Sequence, residues 1–357
     1  MGAGTAQRGA CLLISGKVRK NMEFVVFAGV LLLLFIFMIV QELIQTKNQE
    51  KLFKKYLREN YGKEPPKEYS LERFARLGSY LERHKEEKQL DDITWNDLGM
   101  DEVFRRIDRT YSAAGEEYLY YTLRNISCGR EALEHLEEVV NWLQGQENIK
   151  VRIQLLMKRL GHLGKYSLYD YLDNLDYLGE RSNRKIVLGN LLYLPFLLLL
   201  FVQPAMGTIG IVLCMLWHIM TYFREKKVIE PYIISFAYVL RLIDVCEELE
   251  KQKIPVYRRE LDELREALKS LLELRRGAYW VMAGNQGKIG GNPLDILADY
   301  LRMILHLDIF QFNRMLEKLR KKTGQVETML AITGYLDMAI SVGGFRKSLE
   351  AVSYTHL

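Results

Sequence analysis

Cysteine is scarce: Cys11, Cys128, Cys214 and Cys246 are all there are in 357 residues. They form no CxxC pair and share no metal-like spacing with histidine, which excludes a disulfide framework and a zinc site of the usual pattern. They read as free thiols in a reducing compartment. The six histidines are scattered. The chain contains no GxSxG, no HExxH and no pair of carboxylates in an apolar pocket pattern, so hydrolase chemistry of those kinds has no candidate residues. A GxxxxGK[ST] phosphate loop is absent as well. The glycine-richest stretch, Gly284 to Gly291, puts Ile289 after Lys288 and has the wrong glycine offset; it reads as a turn between helices. No catalytic, cofactor-binding or metal-binding residue is nominated. A strong charge of one sign is missing too: the net charge is +5 and the pI about 8.8. This mild basicity suits an anionic membrane face or nucleic acid and requires neither.

The apolar residues are distributed unevenly. Residues 1–21 are a polar leader with Arg8, Lys17, Arg19 and Lys20, and Phe24 to Val40 is then an almost unbroken apolar run. Its length meets the lower limit of roughly 17 residues for a bilayer-crossing helix. A secretory signal is the competing reading, but no small-residue cleavage site follows. The expectation is an uncleaved transmembrane helix over 22–43, with Met22 an alternative start. A second apolar feature is a pair of runs, Ile186–Val202 and Ile209–Phe223, joined by an uncharged turn over 203–208. Arg181, Arg184 and Lys185 precede the pair and Arg224, Lys226 and Lys227 follow it. Basic residues at both outer ends and none at the tip are the positive-inside pattern of a hairpin with cytoplasmic ends. Neither run has a polar face, which argues against a soluble helix pair. Pro195 is expected to kink the first run, and His218 to lie at the interface. Cytoplasmic hairpin ends place the N-terminus outside, against the basic leader; a start at Met22 eases that conflict.

The remainder reads as helix. Residues 44–92 are charged, with a break at Tyr61–Pro66, and are expected to form a juxtamembrane stalk; Phe74, Leu77 and Leu81 share helical spacing within it. Thr94 to Arg124 reads as two helices around a capped turn, with Val103, Phe104 and Ile107 on the first stripe and Tyr118, Leu119, Thr122 and Leu123 on one face of the second. Thr110 and Ser112 offer cap oxygens, and Gly115 permits a close backbone approach. Helical stripes continue at Leu133–Leu143, 151–163, Phe236–Leu249 and Leu261–Leu272, with Pro255 as a breaker. The charges along 258–276 are mixed and read as a solvated face. Helices are expected over 293–305, 310–322 and 325–341. The last seven residues, 351–357, have no helical period and look like a foreign tail.

Two segments resemble a known family. Ile107-Asp108-Arg109-Thr110, followed by Gly115, Leu119 and Leu123, resembles the opening of the core domain in the MutS family of DNA mismatch-repair ATPases, where a hydrophobic–Asp–x–Thr precedes a glycine and a leucine-bearing helix. Glu137 to Leu143 resembles the next helix. Tyr335-Leu336-Asp337-Met338-Ala339-Ile340-Ser341 resembles the Leu-Asp helix that closes the lever region. The resemblance covers about residues 92–350, interrupted by the hairpin, and the anchor and hairpin resemble a membrane-bound MutS-related subgroup. It implies an all-α core and lever bundle, divided into 93–185 and 224–350 around the hairpin at 186–223, with an N-terminal transmembrane helix. It further implies a homodimer, DNA as a partner, the cell membrane as location with cytoplasmic soluble parts, and ATP with Mg²⁺ in an ATPase domain expected beyond residue 350. The family's mismatch-reading domain is not recognisable, and no ATP- or mismatch-contact residue maps onto this sequence. Asp108, Thr110, Gly115, Leu119, Leu123, Leu336 and Asp337 are carried over as structural motif residues only. Besides a fragment of such an ATPase, a membrane-anchored helical scaffold or adaptor, complete as it stands, fits the sequence. A transporter fits poorly, because the spans carry no intramembrane acid or base.

Overall fold

The computed structural model describes residues 37–41, 44–63, 69, 71–85, 88–126, 129–163, 167–275 and 293–353. Among these the protein is all-α; the only extended pairing is an isolated antiparallel contact of Gln89 with Asn125. The chain divides into two compact units, Met1–Asn60 and Tyr61–Leu357. In the first, residues 37–41 and 44–60 are helical, with ion pairs at one-turn spacing, Lys54–Glu50 at 2.5 Å and Lys55–Glu59 at 3.7 Å. Such exposed pairs contribute little. The leader and most of the expected N-terminal transmembrane helix lie outside the described residues.

The second unit contains α1 (Leu71–Arg83), α2 (Asp92–Asp97), α3 (Met100–Ile107), α4 (Ala113–Arg124), α5 (Arg130–Gly145), α6 (Glu147–Leu160), α7 (Leu168–Asp173), α8 (Arg184–Leu191), α9 (Tyr193–Val202), α10 (Pro204–Glu250), α11 (Arg258–Leu271), α12 (Pro293–Leu305), α13 (Leu307–Leu319) and α14 (Thr323–Ser353). Its centre is the crossing of α4 and α14. Leu330, Leu336, Ala339 and Ile340 of α14 join Val139, Val140 and Leu143 of α5 and Leu264 and Leu271 of α11 in one large core. Fully burying each such aliphatic side chain contributes about 1.5–3 kcal/mol. The stripe expected on α11 is the buried face, except that Leu272 stands 40% exposed just past its end. A smaller core holds Leu77, Trp95, Phe104, Leu119, Tyr120 and Met338.

Several expectations are corrected. The stalk over 44–92 does not persist as one polar segment. Leu77 is 0% and Tyr80 6% exposed, because the apolar face of α1 finds α4 and the aromatic side chains of α2 and α3. The helix expected before Thr110 is two short helices, broken where Gly99 takes φ 62°, a left-handed conformation that glycine adopts without strain. Val103 is 37% exposed while Phe104 is buried. Thr110 does not cap α4; Ser112 does, its Oγ accepting the Gly115 N–H at 3.1 Å. Helix α14 extends to Ser353, so the tail's first three residues continue it and the rest lie outside the described residues.

The hairpin runs are helical, with three differences. The first run is interrupted at Leu192, and Pro195 stands in the first turn of α9, where its missing N–H has its smallest effect. The turn is Gln203 alone, and Pro204 opens α10 at a position suited to its fixed φ. The second run does not end near Phe223: α10 runs on to Glu250, 47 residues and about 70 Å in all at the helical rise, and buries Phe236, Val239, Ile243 and Leu249 in the core. The two arms lie very close. A Cβ on Gly207 would stand 2.7 Å from the Leu200 backbone nitrogen, and one on Gly210 2.7 Å from Phe196 Cγ.

Among the described residues, three helical stretches are long and apolar enough to cross a membrane: Arg184–Val202, Pro204–Glu230 and Thr323–Leu349. Their surroundings separate them. The first is 0% and the second 28% buried within the protein, whereas the third is 72% buried and forms the core.

Candidate functional site

Two polar arrangements stand out, a carboxylate corner at the α4–α14 crossing and a cluster at the foot of the hairpin. The corner is assembled from segments more than 200 positions apart. Helix α14 delivers Asp337, 1% exposed, to the start of α4. Its carboxylate accepts the Ser112 Oγ–H at 2.6 Å, the Ser112 N–H at 2.8 Å and the Tyr111 N–H at 3.0 Å. Gly115 makes room for it, since a Cβ there would lie 2.7 Å from Asp337 Cγ. Gly334, one turn earlier on α14, lets Ala114 approach in the same way: its Cβ would meet the Ala114 carbonyl oxygen at 2.6 Å.

Asp108, fully buried, folds the preceding turn upon itself. It accepts the Thr110 N–H at 3.0 Å and the Thr110 Oγ–H at 2.6 Å, and the Tyr69 hydroxyl donates to its other oxygen. Ser341 stitches this turn to α14, accepting the Arg109 N–H and donating to the Ile107 carbonyl, both at 2.7 Å. The structure therefore brings Asp108, Thr110, Gly115 and Asp337 into one corner. Leu119 and Leu336 are buried beside it, in the smaller and larger core respectively, and Leu123 is half-buried at the edge.

Sequence reasoning missed the cations. Glu116, 0% exposed, receives Arg76 Nη2 at 2.8 Å, Arg73 and His162 Nε2 at 3.1 Å. Burial pulls the Arg76 guanidinium below its ordinary pKa, against the raising influence of Glu117. The available signal was the placement of Arg73 and Arg76 at one-turn spacing beside Phe74 and Leu77. Each carboxylate of the corner is engaged by backbone, hydroxyl or guanidinium donors, an arrangement that fastens helices.

Glu117 is different. It is 3% exposed, its Oε2 accepts the Ser167 hydroxyl at 2.9 Å, and burial pushes its pKa up to about 8. The folded protein therefore keeps this proton between about pH 4.5 and 8, where the unfolded chain releases it, and stability from this group falls as pH rises through that window. Glu117→Gln, which keeps a carbonyl acceptor and does not titrate, is expected to stabilise the fold by roughly 2–3 kcal/mol at pH 7 and by little at pH 4.5. Thermal melts of variant and wild type across pH check this; a difference that shrinks toward neutral pH would contradict it.

At the hairpin foot, Arg181 pairs with Glu225 and donates from Nε to Asn313 at 3.0 Å, while Asn183 donates to the Phe310 carbonyl at 3.0 Å. His218, expected near the membrane interface, is 2% exposed, and its Nδ1–H donates to the Ile304 carbonyl at 2.8 Å. His306, the only non-glycine residue at positive φ (54°) among the described residues, turns the chain between α12 and α13, and burial followed by the nearby His218 lowers its pKa. The Tyr222 hydroxyl donates to Asp308 at 2.8 Å.

Elsewhere, a surface depression is lined by Arg258, Arg259, Asp262, Glu263 and Glu266, all from α11. Its charges pair along the helix, Arg259 with Glu263 at 3.7 Å and Arg265 with Asp262 at 2.7 Å, so it is a solvated face. Among the described residues no group of three or more His, Cys, Asp or Glu side chains could hold a metal ion. The glycine-rich stretch Gly284–Gly291 lies outside the described residues. Compared with protein-family models, curated proteins and solved structures, the chain matches none.

Proposed function

We propose that this chain is the helical core and lever of a membrane-bound, MutS-like DNA-binding ATPase, with ATP and Mg²⁺ belonging to a domain beyond this sequence. The observation that carries the reading is the meeting of the two family-like segments. Ile107–Gly115 and Tyr335–Ser341 are far apart in sequence and are joined by Asp337, Ser341 and the paired glycines. A lever needs such a joint: α14 cannot shift without moving α4. The hairpin supports the membrane part of the reading. Its arms are apolar and largely uncovered by the protein, its two ends are basic, and its first arm of 19 residues spans about 28 Å, close to the hydrocarbon thickness. The soluble body then lies on the cytoplasmic side of a cell membrane. The rigid path of α10 from hairpin to core ties the position of the body to that of the bilayer. A homodimer is part of the proposal, by family resemblance.

The test is duplex binding by the full chain in lipid nanodiscs, titrated at several salt concentrations. About six phosphate contacts would lower affinity roughly a thousandfold between 50 and 200 mM salt. Absence of duplex binding at low salt would favour the second reading, a membrane-anchored helical scaffold or adaptor. The internally paired charges of α11 favour that reading, since they leave no basic strip there. This chain alone is expected to release no phosphate from ATP above a protein-free control.

A further inference from the structure

We infer that α12 is a third membrane element, an interfacial helix seated in the headgroup boundary beside the hairpin; this rests on the hairpin being inserted in a bilayer. The last carbonyls of a helix have no partner within it. At the end of α12 they are taken by hairpin side chains: His218 donates to the Ile304 carbonyl at 2.8 Å and Asn190 to the Leu305 carbonyl at 3.1 Å. Both donors lie inside the apolar spans. Asn190 is six positions beyond Arg184 and His218 six positions before Arg224, so each stands about 9 Å tipward of the basic flank. The end of α12 is thereby fixed at a depth where water is scarce and backbone groups need protein partners. This accounts for a histidine and an asparagine in otherwise apolar arms.

The exposed face of α12 agrees with that depth. Tyr300 is 56% and Leu301 43% exposed, an aromatic with a polar tip beside an aliphatic, as found where helices meet headgroups. Asp299, its side chain 64% exposed beside them, pairs with the buried Arg302 one turn away, so the carboxylate at this boundary is offset by a cation. The reversal at His306 then sends α13 inward, where Phe312 packs on Phe236 with ring centres 4.8 Å apart. One helix enters the protein core and its predecessor stays at the lipid.

The experiment places a nitrobenzoxadiazole label on single cysteines of the full chain, with the native cysteines replaced. The chain is reconstituted in phosphatidylcholine–phosphatidylglycerol liposomes. Labels at Tyr300→Cys and Leu301→Cys are expected to lose most of their emission to lipids carrying a shallow doxyl group and little to aqueous iodide. Leu213→Cys on the hairpin and Glu131→Cys on α5 are the lipid and water references. If position 213 is quenched from the lipid while 300 and 301 respond to iodide alone, the inference is overturned and the hairpin reading stands. If position 213 also escapes lipid quenching, the hairpin reading fails and takes the inference with it.

Discussion

Asp337→Ala is expected to lower the melting temperature of the full chain by roughly 10 °C. The substitution removes the acceptor for the Tyr111 N–H, the Ser112 N–H and the Ser112 hydroxyl, all at the buried start of α4. Each buried donor left without a partner costs about 1–3 kcal/mol, giving roughly 4 kcal/mol in all, and 1 kcal/mol shifts the midpoint of a chain of this size by about 2–4 °C. Ser112 is the residue that caps α4, so the loss reaches the helix start as well as the joint. Asp337→Asn keeps one acceptor oxygen and is expected to lose about half as much. Gly115→Val attacks the same joint sterically, because its Cβ would be driven into Asp337. Differential scanning calorimetry in detergent measures all three. A midpoint for Asp337→Ala within 2 °C of wild type, on the scale of roughly 1 kcal/mol or less, would show that the joint is not what holds α4 to α14.

Leu198→Arg combined with Leu213→Arg is expected to keep the hairpin from crossing the membrane. Both side chains are exposed, 69% and 61%, on arms that otherwise carry no charge there. An arginine near the centre of a span costs about 2.5–3.5 kcal/mol on insertion, so the pair costs about 5–7 kcal/mol. The readout is a cysteine at the tip, Gln203→Cys, labelled by a membrane-impermeant maleimide. With the natural arms it should react only from the face opposite the body; with the two arginines it should react from the body's face. Labelling of the natural hairpin from the body's side alone would mean that it never crosses.

Both predictions concern features that were partly visible in the sequence. The charge-free arms and their basic flanks are read directly from residue order, because a bilayer selects composition over a run of residues and needs no distant partner. Helical stripes such as Leu261, Leu264, Leu268 and Leu271 were visible for a similar reason: the period of 3.6 is local. Where the sequence misled, a single residue redirected the backbone, as at Gly99, or a second helix supplied what a stripe alone does not name. Leu77 belonged to a segment expected to be a polar stalk and is buried because α4 is there to cover it.

Composition and local period thus determined, by themselves, an all-α chain with two apolar arms. Only the tertiary structure decided that α14, apolar enough to cross a membrane, is the core, because 72% of the residues in its apolar stretch are buried within the protein. It also decided that Asp337 answers Ser112, and that Asn190 and His218 close the end of α12. Those pairings join residues tens to hundreds of positions apart, and no local pattern in a chain encodes which buried donor will meet which acceptor until the helices have packed.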